Sequence, residues 1–546
     1  MQRAGLAIAR VALAIAPHAQ TIWIACGYGN NGGDGLQAAA WLQRWGKRVR
    51  VNTLAAREAM PPDAQAAWQE ACAAGVQFAD EAPALQAHDL CIDALLGIGI
   101  AANRPPDTKM QTYIAAMRHS PAQVLAVDIP SGLLADTGNW AGDVPGVCAD
   151  HTITLLTLKP GLFTAHGRDA TGQVWWHDLG ISAAAHPADA CLQGVRLHTL
   201  PNTMQPAAAS PNAPHHRTAQ IQQTGRTRQN SYSSHKGSYG DVCVIGGDAG
   251  MQGAAFLAGE AALYSGAGRV YVALLQANSS AAHDAGLMVR PLATPQAFNA
   301  LPCAHAVTVC GCGGGQTIAR WLPDVLQRAP RLVLDADALN ALATSTVWQT
   351  MLQQRAQQGA ATVLTPHPLE AARLLHTTVD AVQHNRLDAA RTLAEKYQCA
   401  VVLKGSGSIC TLPAAVQHAS HSDYAQANAP TVINYSGNAR LATAGTGDVL
   451  AGCIGAYWAQ AHEHEHEHAD AHARPATPDA IWHSAWRACC AAVHAHGHAA
   501  DEWNACTMRG SGALGDAFWG AFGCDTWGAQ LSAQRLARSL QRPDHI

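Results

Sequence analysis

Several common architectures are excluded by what this 546-residue sequence lacks. It has no run of about 18 uncharged apolar residues, so no membrane span is expected. It has no Gly-x-x-x-x-Gly-Lys-Ser/Thr, so it does not hold nucleotides by a P-loop. None of its 16 cysteines stands at Cys-x-x-Cys spacing, which argues against a structural zinc site. Cys26, Cys72, Cys91, Cys243 and Cys453 lie instead inside apolar runs, where thiols pack as small hydrophobes, and a reducing cytoplasm is the expected setting. Charge is scarce as well. Charged residues make up 14% and the net charge is −4, which is no surface for nucleic acid. Small ligands are the expected partners.

What is present is a globular balance, with 48% hydrophobic residues over a length too great for one core. The first twenty residues begin with a basic residue and an apolar stretch, as a secretion leader does. Arg10 interrupts that stretch and no small-x-small cleavage site follows, so an amphipathic helix is expected. From 21 to 182, short β-branched runs alternate with helical patterns. The strands are expected at Thr21–Cys26, Arg48–Leu54, Leu90–Ile92, Val124–Val127 and Thr152–Leu156, with Leu36–Trp45 placing Ala38, Trp41, Leu42 and Trp45 on one helical face. The same alternation returns from 240 to about 455, with strands expected at Asp241–Ile245, Val270–Ala273, Leu332–Leu334, Thr362–Leu364 and Ala400–Leu403. Such alternation implies parallel sheets covered by helices, hence an α/β protein of two αβα domains. Residues 183–229 are rich in Ala, Pro, Gln, Asn, Ser and His without periodicity, and are expected to form a linker or insertion between domains 1–182 and 230–546. The Glu-His alternation from His462 to His472 is expected to be a solvated loop between two helices.

The first expected strand runs into Gly27-Tyr28-Gly29-Asn30-Asn31-Gly32-Gly33-Asp34, a glycine-rich turn between strand and helix. Glycines let backbone approach a phosphate, and a helix N-terminus favours negative charge. The acidic residue usual at the end of the next strand of a dinucleotide fold is missing from Val51-Asn52-Thr53-Leu54. Asp93-Ala94-Leu95-Leu96-Gly97 and Asp128-Ile129-Pro130-Ser131-Gly132 follow the third and fourth strands. In a parallel sheet the carboxyl ends of strands converge, so these would gather hard oxygen atoms suited to a cation or a ribose hydroxyl. Taken singly, each carboxylate could equally cap a helix or turn.

GNNGGDG, DALLGIGI, DIPSGLLADTG and Lys159-Pro160-Gly161-Leu162 together resemble the NAD(P)H-hydrate epimerase family, over about residues 1–182 and with a Rossmann-like fold implied. The resemblance implies a potassium ion on Asn31, Asp93 and Ser131. It implies a substrate site formed by Asn30, Asn31, Gly32, Gly33 and Asp34 and by Gly97, Ile98, Gly99, Ile100, Ala101, Ala102 and Asn103. Asp128 would be the proton-shuttling carboxylate. Relatives carry a further helix before a segment like Gln2-Arg3-Ala4-Gly5, so either the true start lies upstream or one wall of the substrate site is absent.

In the second half, His235-Lys236-Gly237 leads to Gly246-Gly247-Asp248. Gly311–Gly315, Asp335-Ala336-Asp337, Thr365-Pro366-His367-Pro368 and Lys404–Ser408 follow, and Ala444-Gly445-Thr446-Gly447-Asp448 opens a helix. Amides of Gly445, Thr446 and Gly447 at a helix N-terminus would make an anion hole, with Asp448 placed to take a proton from an attacking hydroxyl. An ordinary first-turn Asp explains GTGD alone, but not its company. The ordered set resembles the ADP-dependent NAD(P)H-hydrate dehydratases, ribokinase-like in fold, over about 230–525. The resemblance implies substrate contacts by Ala254, Gly313, Gly315, His367 and Asp448, with Asp448 catalytic. It implies ADP contacts by Lys404, Gly405, Ser406, Gly407, Ser408 and Gly447, and a need for Mg2+. Leu369, Cys312, Gly314 and Ala444 depart from the family pattern. The implied partners are the hydrates of NADH and NADPH (NADHX and NADPHX) and ADP, in a homo-oligomer. A ribokinase-type kinase that releases its phosphoester, and a binding-only scaffold for the first half, are the rival readings.

Overall fold

The computed structural model describes residues 1–181, 190–193, 198–199, 235–276, 283–414, 431–467, 478–509 and 531–540. They separate into two compact units, the first containing 1–181 and 198–199, the second containing 190–193 and everything from 235 onward.

The first unit is a parallel sheet of β1 (Thr21–Cys26), β2 (Arg48–Thr53), β3 (Gln77–Phe78), β4 (Leu90–Ala94), β5 (Gln123–Val127), β6 (His151–Leu155) and β7 (Gln173–His177). The short strand His198–Thr199 extends it beyond β7, and the spatial order is β3-β2-β1-β4-β5-β6-β7. Both faces are covered. Ile22, Ile24 and Cys26 pack into one apolar cluster, while Trp23 and Ala25 pack into another on the opposite face. That two-sided burial explains the near-continuous apolar strands. The chain leaves β1 toward β2 and returns on the other side as β4, so the crevice at the ends of β1 and β4 is the switch point where α/β sheets bind ligands.

The amphipathic N-terminal helix is present at Gln2–Ile15, with Ala4, Ile8, Val11 and Ala12 buried. The helix expected at Leu36–Trp45 begins earlier, at Asn30, and ends at Arg44. Trp45 is 39% exposed and does not share the core face of Ala38 and Leu42. Its ring packs against Trp41, which also packs on the core and lies under the Arg44 guanidinium. The glycine-rich turn is therefore itself helical from Asn30. Cys72 is exposed, unlike Cys26, Cys91, Cys243 and Cys453, because its helix (Pro62–Ala73) turns Ala64, Ala67 and Ala71 inward instead.

The second unit carries β8 (Ala190–Gln193), β9 (Asp241–Gly246), β10 (Arg269–Leu274), β11 (Met288–Pro291), β12 (Val307–Cys310), β13 (Arg331–Leu334), β14 (Ala361–Leu364), β15 (Ala400–Leu403), β16 (Ser408–Thr411) and β17 (Thr431–Asn434). The spatial order is β11-β10-β9-β12-β13-β14-β15-β16-β17-β8, parallel from β11 to β15. β16 runs antiparallel to both β15 and β17, and β17 pairs parallel with β8. Its switch point lies between β9 and β12. The α/β expectation holds in both units.

β8 and the His198–Thr199 strand fall inside the stretch expected to be a linker; the rest of 183–229 lies outside the described residues. The Glu-His tract is not a loop at its start. The helix Thr446–Glu467 continues into it, and His468–His472 lie outside the described residues. Among the described residues no helix is long and apolar enough to cross a membrane.

Candidate functional site

In the first unit the expected residues meet at the ends of β1, β4 and β5. Asp93 ends up fully buried between Ala25 and Ala126 of the neighbouring strands. Its carboxylate accepts from the Ser131 amide at 2.8 Å, the Ser131 hydroxyl at 2.6 Å and the Leu95 amide at 3.2 Å. Ser131 Oγ in turn accepts from the Leu96 amide at 2.9 Å. Burial pushes the Asp93 carboxyl up to about 6, against the opposing pull of those donors. Asn31 lies against Gly97, where a Cβ would come within 3.4 Å of it, so the Asn31 and Gly97 loops are joined. Asn31 Nδ2 is buried without a partner.

Asp128 has φ +66, an uncommon conformation for a residue other than Gly or Asn. Its Oδ1 accepts from the Lys159 ammonium and from the Leu155 amide at 3.2 Å. Asp34 is held up at about 7, first by burial and also by the Asp128 charge, with the N-terminal amine pulling it down. Ile98 is 61% exposed, and Gly99, Ala101, Ala102 and Asn103 are exposed with it, as an open loop. Asn30 is exposed, and Gly32 and Gly33 are buried beneath it. Asn52, where a dinucleotide fold would carry its acid, accepts from the Trp23 indole at 2.6 Å; it serves packing.

In the second unit the loops after β9, β12, β13, β14 and β15 converge. Gly313 has φ +59 and lies so near Ala254 that a Cβ would come within 2.9 Å of it; at Gly315, φ +53, a Cβ would come within 2.6 Å of Asp248. The Gly315 amide donates to Asp337 at 2.8 Å. Asp335 is buried and accepts from the Lys404 ammonium at 2.7 Å and the Thr365 hydroxyl at 2.8 Å. Lys404 is raised: burial opposes its charge, and Asp335 and Glu370 outweigh that. A Cβ on Gly447 would stand 3.3 Å from the Lys404 ammonium, which ties the Lys404 loop to the GTGD turn.

Gly445 has φ +88, and the amides of Gly445 and Gly447 find no acceptor among the described residues, as expected at a helix start; the Thr446 amide, expected to join them, donates instead to the Thr443 carbonyl at 3.3 Å. Asp448 is pushed up to about 7, mainly by burial, then by Asp335, with Cys312 and Lys404 acting in the opposite direction. Sγ of Cys312 and carboxylate oxygens of Asp335 and Asp448 all lie within 4.8 Å of one another.

The Lys404–Ser408 turn is shaped by Arg386. This buried guanidinium reaches the carbonyls of Leu403, Lys404 and Gly407 at 3.2–3.4 Å. Ser408 opens β16 rather than ending the loop. His367 serves as an N-cap. Its Nδ1 accepts from the Leu369 amide at 3.1 Å, and its Nε2 faces Glu370 at 3.3 Å. Sequence reasoning assigned no role to Asp335, Thr365, Cys312, Arg386 or Lys159. Asp335, Thr365, Cys312 and Lys159 all stand within motifs the sequence singles out, whereas Arg386 carries no sequence signal.

Two α/β units, each with polar side chains gathered at strand ends, describe an enzyme with two sites. Residues 1–161 match the family model described as YjeF-related protein N-terminus, and 242–514 match that described as NAD(P)H-hydrate dehydratase. The chain is 35% identical over 467 residues to the bifunctional NAD(P)H-hydrate repair enzyme of Escherichia coli K12, covering 84% of this chain and 80% of that one. It is 34% identical over 551 residues to the enzyme so named from Leishmania braziliensis, covering 94% and 86%. It is also similar to the solved ADP/ATP-dependent NAD(P)H-hydrate dehydratase from Bacillus subtilis, co-crystallised with ATP and Mg2+. That likeness has 22% identity and a TM-score of 0.37, over 58% of this chain and 94% of that one. The chain belongs to the bifunctional NAD(P)H-hydrate repair enzymes.

Proposed function

We propose that the chain repairs hydrated NADH and NADPH by two reactions, one in each unit. In the second unit, Asp448 takes the proton of the C6 hydroxyl. The freed oxygen attacks the terminal phosphorus of ADP, and the bond to AMP breaks. Phosphate then leaves C6 with the bonding pair while the N1 lone pair forms N1=C6. Loss of a C5 proton restores the dihydronicotinamide, so hydrate and ADP give NAD(P)H, AMP and phosphate. The observation that carries this reading is Asp448 in the first turn behind free amides, its carboxyl at about 7, beside Lys404. A base with that value accepts a proton near neutrality, and the amides receive the transferring phosphoryl group. His367, Ala254, Gly313 and Gly315 line the hydrate side, and Lys404–Ser408 with Gly447 the nucleotide side.

In the first unit, R and S hydrates interconvert. Asp128 removes the hydroxyl proton, C6=O forms, and the C6–N1 bond breaks onto N1, which takes a proton from Asp34. Closure on the other face returns both protons. Asn31, Asp93 and Ser131 fit a monovalent cation. Turning the Asn31 amide by 180° exchanges its orphaned nitrogen for an oxygen that such an ion would satisfy. Potassium held there would anchor the loops around Gly97. For Mg2+, Asp335 offers hard oxygens and the Cys312 thiol does not suit it; the ion would offset phosphate charge. The test is incubation with hydrated NADH and either ADP or ATP. Recovery of reduced-nicotinamide absorbance is expected, with ADP the better donor. A phosphorylated hydrate that accumulates would instead favour a simple kinase.

A further inference from the structure

Lys159 is nearly buried, and each of its three ammonium protons has an acceptor: Asp128 Oδ1, Thr154 Oγ1 at 3.0 Å and the Leu155 carbonyl at 2.7 Å. A buried ammonium so fully satisfied is fixed in place. Asp128 Oδ1 also takes the Leu155 amide, so that oxygen is saturated from the β6 side. Oδ2 has no hydrogen-bond partner among the described residues. The two oxygens of one carboxylate are thus unequal.

We propose that Lys159 is the positioning residue of the first site. It clamps Asp128 by Oδ1, orients the carboxylate on its left-handed backbone, and leaves Oδ2 as the atom that exchanges a proton with the hydrate. The proposal rests on the epimerase reading of this unit. Lys159 does not touch substrate; it acts through Asp128. The proton moves from the C6 hydroxyl to Oδ2 and returns on ring closure, so nothing beyond the substrate is consumed. The titratable groups facing Asp128 are Lys159, from the turn after β6, and Asp34, from the helix after β1.

The arrangement fixes what Lys159→Met should do. A carboxylate that loses an adjacent buried ammonium is less easily kept charged. In the full chain with a purified R hydrate, the acidic limb of the R-to-S rate should move to higher pH. The loss should be roughly tenfold or more at acidic pH and should shrink toward pH 9. Lys159→Arg, which keeps the charge, should restore the limb. Thr154→Val removes one acceptor without touching Asp128, and should shift the limb the same way by less; it carries the test if the Met variant does not fold. A loss equal at every pH, or an unmoved limb in both variants, overturns the proposal. The wild type separates the two readings. If it does not convert R to S, the epimerase reading fails. If it does and the variants share its profile, only the role of Lys159 fails.

Discussion

The role of base proposed for Asp448 runs against surroundings that favour the neutral acid. Burial raises it to about 7, so at neutral pH about half of it is ionised and a modest fall in pH silences it. Dehydration of the S hydrate should therefore fall off below about pH 7, which a rate profile at saturating ADP would check. Asp448→Asn keeps the shape and removes the base. It should cost on the order of 10²–10⁴ in turnover while the ADP dissociation constant changes little, because Lys404 and the amides remain. Wild-type turnover in that variant would end the phosphorylation mechanism.

At the scale of elements, what matters is how a strand end or helix start is held. The turn leading to Asp448 is pinned from the helix Pro478–Arg509. Asp501 accepts from the Gly437 amide at 2.7 Å and from Asn438 at 2.9 Å, and Ser436 donates to the His494 carbonyl at 3.0 Å. His496 Nε2 donates to the Thr446 carbonyl at 3.0 Å, which fixes its tautomer. Burial lowers His496 from 6.5 to about 4. The unfolded chain therefore takes up this proton first, and the stability that the neutral ring contributes is lost as pH falls from 6.5 toward about 4. His496→Gln keeps a donor and removes the titration. The gap in melting temperature between wild type and variant should narrow across that window; a constant gap would refute it. In the other unit, Asn31 Nδ2 is buried with no partner among the described residues, and the cation proposed for Asn31, Asp93 and Ser131 can be tested directly. Replacing potassium by a bulky organic cation should slow R-to-S conversion, and equal rates in the two salts would remove the ion from the site.

The whole molecule carries its two sites in two compact units, each with its own sheet and core. Substitutions with no shared partners act additively in free energy. Asp128→Asn should slow consumption of the R hydrate and leave turnover of pure S hydrate near wild type. Asp448→Asn should do the reverse, stopping dehydration while R and S still equilibrate. The double variant should show the two defects side by side, measured with each purified epimer. Loss of S turnover in Asp128→Asn would mean that the units do not act independently.

The sequence alone determined the α/β class, most strand positions and the loops that carry chemistry. Parallel strands buried on both faces must be apolar along their length, and ligand-binding loops need glycine and short polar residues at strand ends. The strand-end and helix-start positions of Asn31, Asp93, Asp128, Lys404 and Asp448 were legible on those grounds. The helical start at Asn30, the exposed Trp45 and the continuation of Thr446–Glu467 into the Glu-His tract were not, because local pattern does not say where a helix stops being supported by its neighbours. Nor were the pairings. Lys159 meets Asp128 across 31 positions, Lys404 meets Asp335 across 69, and His496 meets Thr446 across 50. Only the order of strands in each sheet decides which ends lie side by side. That order, together with the burial it creates, pushes the Asp448 carboxyl up and leaves Asp128 Oδ2 without a hydrogen-bond partner among the described residues.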